Sequence, residues 1–110
     1  MKQLMWVLLT GALMGATGAH ADPSMDPAKD KQCFSCHAVD KDALAPSFQH
    51  IAAKYKKLSN AEARLVPTVM KGTPDAGGYH WGTMKMPSPG ARPVVSEAEA
   101  KQLVQWVLAQ

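Results

Sequence analysis

Cysteine is nearly absent from this chain: 110 residues hold two. They stand so close together that a bridge between them would close a very small loop and stabilise little. Charge of one sign is also lacking. Twelve Lys and Arg face nine Asp and Glu, which excludes a nucleic-acid binder working by bulk charge, and no dense basic stripe appears. Acid-rich disorder is excluded by the same count. Internal repeats, coiled-coil heptads and low-complexity tracts are absent. β-Branched residues are thinly spread and do not alternate with polar ones, which argues against a sheet.

One long apolar run is present, from Leu4 to Gly18, between Lys2 and Ala19-His20-Ala21. A charged start, an apolar middle and an A-x-A site read as an export signal cut before Asp22. A membrane anchor is the competing reading, but the run is short and rich in Gly and Thr for about 30 Å of hydrocarbon. No stable membrane insertion is therefore expected. Removal of residues 1–21 leaves 89, with eleven basic and nine acidic side chains and a net charge of +2. The expected division is a signal peptide over 1–21 and one domain over 22–110. A chain this small builds a thin core from side chains alone and commonly leans on a disulfide, metal or cofactor, so something is expected to fill its middle.

The two cysteines lie in Cys33-Phe34-Ser35-Cys36-His37. C-x-x-C-H is the spacing of covalent haem attachment. Two thiols must reach two vinyl groups on one porphyrin edge, and the following imidazole then turns under the iron as proximal ligand. Two other chemistries compete. A thiol–disulfide oxidoreductase would use Cys33 and Cys36, but that motif opens a helix after a strand, and no strand precedes Cys33. Zinc held by Cys33, Cys36, His37 and a distant His50 or His80 would want a second tight ligand pair.

The expected fold is all-α, with about four short helices around one covalently bound haem. Mature alanines number 13 against 11 Val, Ile and Thr together, which favours helices joined by loops. The first helix is expected to be capped by Asp26, to carry Pro27 at its first position and to run into Cys33. The second spans Ser47 to Lys57, with Phe48, Ile51, Ala52 and Tyr55 on one face. His50 falls off that stripe and reads as a surface or haem-periphery residue. The third runs from Ala61 to Lys71, capped by Asn60 and ended by Gly72, with a kink or a restart at Val66 expected from Pro67. The last opens on the capping box Ser96-Glu97-Ala98-Glu99 and continues through Ala100, Leu103, Val104, Val107 and Leu108.

All five mature glycines and four of the eight prolines lie between Gly72 and Pro93. A loop this long in a small domain, carrying Tyr79, Trp81, Met84 and Met86, reads as a wrap over something apolar. It offers three candidates for a second axial ligand: Met86, Met84 and His80. Met86 is favoured because Pro87-Ser88-Pro89 stiffens the chain after it. Met84, two residues away, points to the opposite side of an extended segment. Without a haem, either Met would read as core filler.

Cys33-x-x-Cys36-His37, Pro46 nine residues later, Trp81-Gly82-x-x-x-Met86-Pro87 and a C-terminal helix with Trp106 together resemble a small bacterial class I cytochrome c. The resemblance covers the mature chain. It implies a compact all-α fold with one haem c in its middle, one edge exposed, and axial ligation by His37 and Met86. It further implies that the Pro46 carbonyl accepts a hydrogen bond from His37 Nδ1 and that Trp81 donates to a haem propionate. Ala28 and Gln32 depart from the aromatic and glycine that the family packs on its first helix, leaving Trp106 without its usual partner. Pro89 stands where an asparagine often bonds the ligand sulfur.

The implied function is that of a periplasmic one-electron carrier, a monomer and not an enzyme. Its partners would be a membrane quinol-oxidising complex and a terminal reductase or oxidase, in respiration or denitrification. Lys54, Lys56 and Lys57, with Lys71 and Lys85 beside the loop, are candidates for steering such docking. The alternatives are the small haem subunit of a heterodimeric dehydrogenase, the thiol oxidoreductase, and a haem enzyme or gas sensor with an open iron site.

Overall fold

The computed structural model describes residues 24–75, 81 and 85–110. The expected signal and cleavage site, Tyr79, His80 and Met84 lie outside the described residues. Four helices follow one another: α1 (Asp26–Asp30), α2 (Phe48–Tyr55), α3 (Ala61–Lys71) and α4 (Glu97–Leu108), with a 3₁₀ turn at Cys33–Ser35 after α1. No β-strand occurs among the described residues. None of their helices is long and apolar enough to cross a membrane.

α1 is shorter than its sequence pattern suggests. Met25 occupies the cap position, Pro27 stands one place further in than expected, and the helix ends at Asp30. The Asp26 amide donates instead to Ser24 Oγ at 3.1 Å. Gln32 then takes a left-handed backbone conformation, φ 60° and ψ 27°, which turns the chain out of helix before Cys33.

α2 begins where its pattern predicts, because Ser47 caps it: the hydroxyl accepts from the His50 amide at 3.0 Å. The other free amides of its first turn are taken by the preceding loop, Phe48 N–H by the Ala38 carbonyl and Gln49 N–H by that of Val39. A helix start that shares its donors with a loop also fixes that loop.

α3 runs through Pro67 as one helix, and Asn60 does not cap it through its side chain. The helix therefore does not restart at Val66, and the expected Asn60 side-chain cap is not made. Pro67 and Ala63, whose carbonyl loses its helical partner to the proline, are both exposed, so solvent satisfies what the ladder cannot. Asn60 contributes only its backbone carbonyl, to Arg64 N–H at 3.0 Å. The capping box of α4 is complete, with Ser96 and Glu99 bonded reciprocally.

One core cluster joins α1, α2, α3 and α4. Ala28 and Ala100 are both fully buried, so the terminal helices meet at small residues. Lys31 and Glu99 bridge the same junction at 3.0 Å. Trp106 is not left without an aromatic partner. Phe48 supplies one edge-to-face at 5.0 Å, and Phe34, from within the C-x-x-C-H motif, adds another at 6.2 Å. The partner comes from α2 and the motif turn rather than from the first helix.

Candidate functional site

The 3₁₀ turn gathers the motif. Cys36 N–H and His37 N–H both donate to the Cys33 carbonyl, at 3.2 and 3.0 Å, bringing the three side chains to one wall. Cys33 and Cys36 are not bridged to each other. Burial raises the Cys33 thiol above its ordinary range, the opposite of the lowered value that activates a thiol–disulfide nucleophile.

His37 is fixed from two directions. Its Nδ1–H donates to the Pro46 carbonyl at 2.7 Å, and its ring stacks on Phe48 at 5.0 Å with 21° between planes. A carbonyl can only accept, so the proton is on Nδ1 and the lone pair on Nε2. Burial lowers the His37 pKa, favouring the neutral imidazole that a metal ligand must be.

Met86 is placed by its backbone. Its N–H donates to Thr73 Oγ1 at 2.8 Å, and its carbonyl accepts from Thr73 N–H at 3.0 Å. Gly72, which ends α3 at φ 93°, lies directly beneath: a Cβ there would stand 2.8 Å from the Met86 carbonyl oxygen. Arg92 closes the segment from the far side. Its Nε donates to the Pro87 carbonyl and its Nη2 to the Val69 carbonyl in the last turn of α3, each at 2.7 Å.

Trp81 packs edge-on against His50 at 4.7 Å and lies under the Lys54 ammonium at 4.1 Å. His50 in turn faces Asp42 at 3.2 Å. Among the described residues no group of three or more His, Cys, Asp and Glu could hold a metal ion, so Cys33, Cys36, His37 and His50 do not form a zinc site; His80 lies outside the described residues.

A cavity of about 980 Å³ runs through the middle, and Cys33, Cys36, His37, Pro46, Trp81 and Met86 all line it. Its other walls include Ile51, Leu65, Leu103 and Val104. That volume lies at the upper end for small-molecule and cofactor sites. A flat apolar macrocycle tethered at two thiols, with imidazole and thioether donors, fits this set of residues. Thr73, Arg92 and Asp42 escaped the sequence reading. A threonine after a helix end and a lone cation in a Pro-Gly loop carry no signal until the chain is folded.

Four helices around such a cavity suit a c-type cytochrome of class I, and the likeness to known proteins shows that class. The family model described as Cytochrome c matches residues 26–110. Cytochrome c-551 of Pseudomonas aeruginosa is 37% identical over 107 residues, covering 97% of this chain and 94% of that one. Cytochrome c-552 of Hydrogenobacter thermophilus is 34% identical, covering 99% and 98%. The crystal structure of Nitrosomonas europaea cytochrome c552 superposes with a TM-score of 0.66 at 32% identity, covering 78% of this chain and 98% of that one. The chain belongs to the cytochrome c family. It is a small single-haem electron carrier, and its cofactor is one covalently attached haem c.

Proposed function

We propose that this protein is an exported periplasmic carrier, acting as a monomer and not as an enzyme, in which Cys33 and Cys36 form the two haem thioethers and His37 and Met86 are the axial ligands. The observation that carries this reading is that all four residues line one apolar cavity. When bound, the haem supplies a one-electron iron couple. The chain does the rest. His37 presents Nε2 because Nδ1 is committed to Pro46, and that bond keeps the imidazole basic. Thr73 and Arg92 hold the Met86 segment against α3. A thioether from Met86 would favour the reduced iron and raise the potential relative to a second imidazole. Were His37 and Met86 both to ligate the iron, no coordination site would be left for a substrate.

Trp81 is assigned to donate its indole N–H to a haem propionate. Partners are redox proteins, with a membrane quinol-oxidising complex as donor and a terminal reductase or oxidase as acceptor. Lys56 and Lys57 are exposed and suited to steer docking. Lys85 is engaged with Asp75 at 2.8 Å, which reduces its share in that field. The test is a pair of substitutions. Met86→Ala lowers the potential and lets carbon monoxide bind the reduced iron rapidly, whereas Met84→Ala leaves the spectrum nearly unchanged. The reverse pattern moves the ligand to Met84.

A further inference from the structure

The Pro46–Ser47 peptide is held at both ends by side chains. Its carbonyl oxygen accepts from His37 Nδ1–H at 2.7 Å. Its N–H donates to Asp42 Oδ1 at 2.7 Å. These are two ends of one planar, conjugated amide. We propose that Asp42 tunes the haem iron through this peptide, polarising the Pro46 carbonyl so that it takes a stronger hydrogen bond from His37. The proposal rests on His37 being the proximal ligand.

A negative charge at the N–H end of an amide pushes electron density toward its carbonyl oxygen. Hydrogen bonds in such a chain strengthen one another. A stronger acceptor pulls on the Nδ1 proton and leaves Nε2 more electron-rich, which raises the basicity of the ligand. The oxidised iron carries one more positive charge and gains more from that basicity, so Asp42 holds the reduction potential down. Ser47 is buried, so the peptide itself is withdrawn from water, while the Asp42 carboxylate that binds it stands at the exposed end of the link. The bond from Ser47 also keeps the Asp42 carboxyl below the usual carboxylate range, so the group is charged at neutral pH. Beyond that bond, the carboxylate meets the His50 ring, 3.2 Å from Oδ2.

Asp42 is a positioning and tuning residue, since it does not line up with the iron itself but acts through another group. Asp42→Asn keeps an oxygen acceptor for Ser47 N–H and removes the charge. In the reduced holoprotein, the Nδ1 proton resonance of His37 should move upfield and the reduction potential should rise. Asp40→Asn is the control. It removes the same charge from the same loop, and Asp40 is exposed, with no bond to that peptide. It should shift the potential less and leave the His37 proton in place. Equal potential shifts in the two variants, or an unmoved His37 proton in Asp42→Asn, would overturn the proposal, because Asp42 would then be a surface charge or a loop brace only. The two claims separate in the unaltered protein. If its reduced form lacks the ring-current-shifted imidazole protons of an axial His37, the ligand assignment fails and this proposal with it. If those protons are present, a null result in Asp42→Asn sinks the tuning alone.

Discussion

Arg92 Nη2 donates to the Val69 carbonyl at 2.7 Å, tying the segment that follows Met86 to the last turn of α3. That carbonyl is one of the four a helix leaves unpaired at its C-terminus, so one guanidinium completes the helix end and fastens the loop. A charge-assisted bond of this kind is stronger than a neutral one.

Replacing Arg92 with Gln should therefore loosen the Met86 segment before it unfolds the domain. A stability loss of about 1–2 kcal/mol is expected from the two bonds, read as a lower urea midpoint. The thioether-to-iron band should also weaken at a milder temperature or pH than in the unaltered protein. Loss of stability with an unshifted band would make Arg92 a helix cap only.

Gly72→Ala is expected to be worse than Gly90→Ala, although both glycines have positive φ. The new Cβ at 72 meets the carbonyl oxygens of Met86 and Pro87 at 2.8 and 3.0 Å, whereas nothing lies within 4 Å of one at 90. Backbone strain alone amounts to about 1–3 kcal/mol at such a site. Only Gly72→Ala should add displacement of Met86, visible as a diminished sulfur–iron band. Identical spectra in the two variants would contradict that placement.

Gln32 is the one described non-glycine residue with positive φ, and it is exposed. Left-handed backbone costs an L-residue about 1–2 kcal/mol, part of which glycine gives back through a more flexible unfolded chain. Gln32→Gly should raise stability by about 0.5–1 kcal/mol and leave the potential untouched. Denaturant titration checks the first and voltammetry the second.

Acid should destabilise the fold through carboxylates with lowered pKa values. Asp42 is held below its ordinary 3.8 by the Ser47 amide. Glu99 is held below 4.5 by Lys31 and by the Ser96 amide. A folded pKa beneath the unfolded one means the unfolded chain binds more protons, so stability is present above the unfolded values and lost as pH falls through the folded ones. Melting temperature should be level above about pH 5 and drop below about pH 4. Asp42→Asn and Glu99→Gln should each flatten that fall. An unchanged slope in both would contradict the assignment.

Local chemistry made much of the fold legible. The α4 capping box and the Phe48, Ala52 and Tyr55 stripe depend on residues a few positions apart, and both appear in the structure; Ser47, read as the first residue of α2, is its cap. What depended on distant neighbours was not legible. The helix runs on through Pro67 instead of restarting at Val66, and the exposed Ala63 carbonyl can take water in place of the lost bond. Trp106 finds Phe34 and Phe48 only once α4 crosses the motif turn. The site divides in the same way. Cys33, Cys36 and His37 announce themselves by spacing. Thr73 and Arg92, which seat Met86, are ordinary polar residues until α3 ends beside the loop.

The most direct test of the account is the absorption spectrum of the exported holoprotein, first oxidised and then reduced. A low-spin haem that resists acid extraction, with a weak far-red band in the oxidised state that vanishes on reduction, is the expected result. It would establish thioether attachment and sulfur ligation together. A protein matured in a competent host that shows no Soret band, or a haem lost to acid extraction, would contradict the claim that Cys33 and Cys36 carry the cofactor.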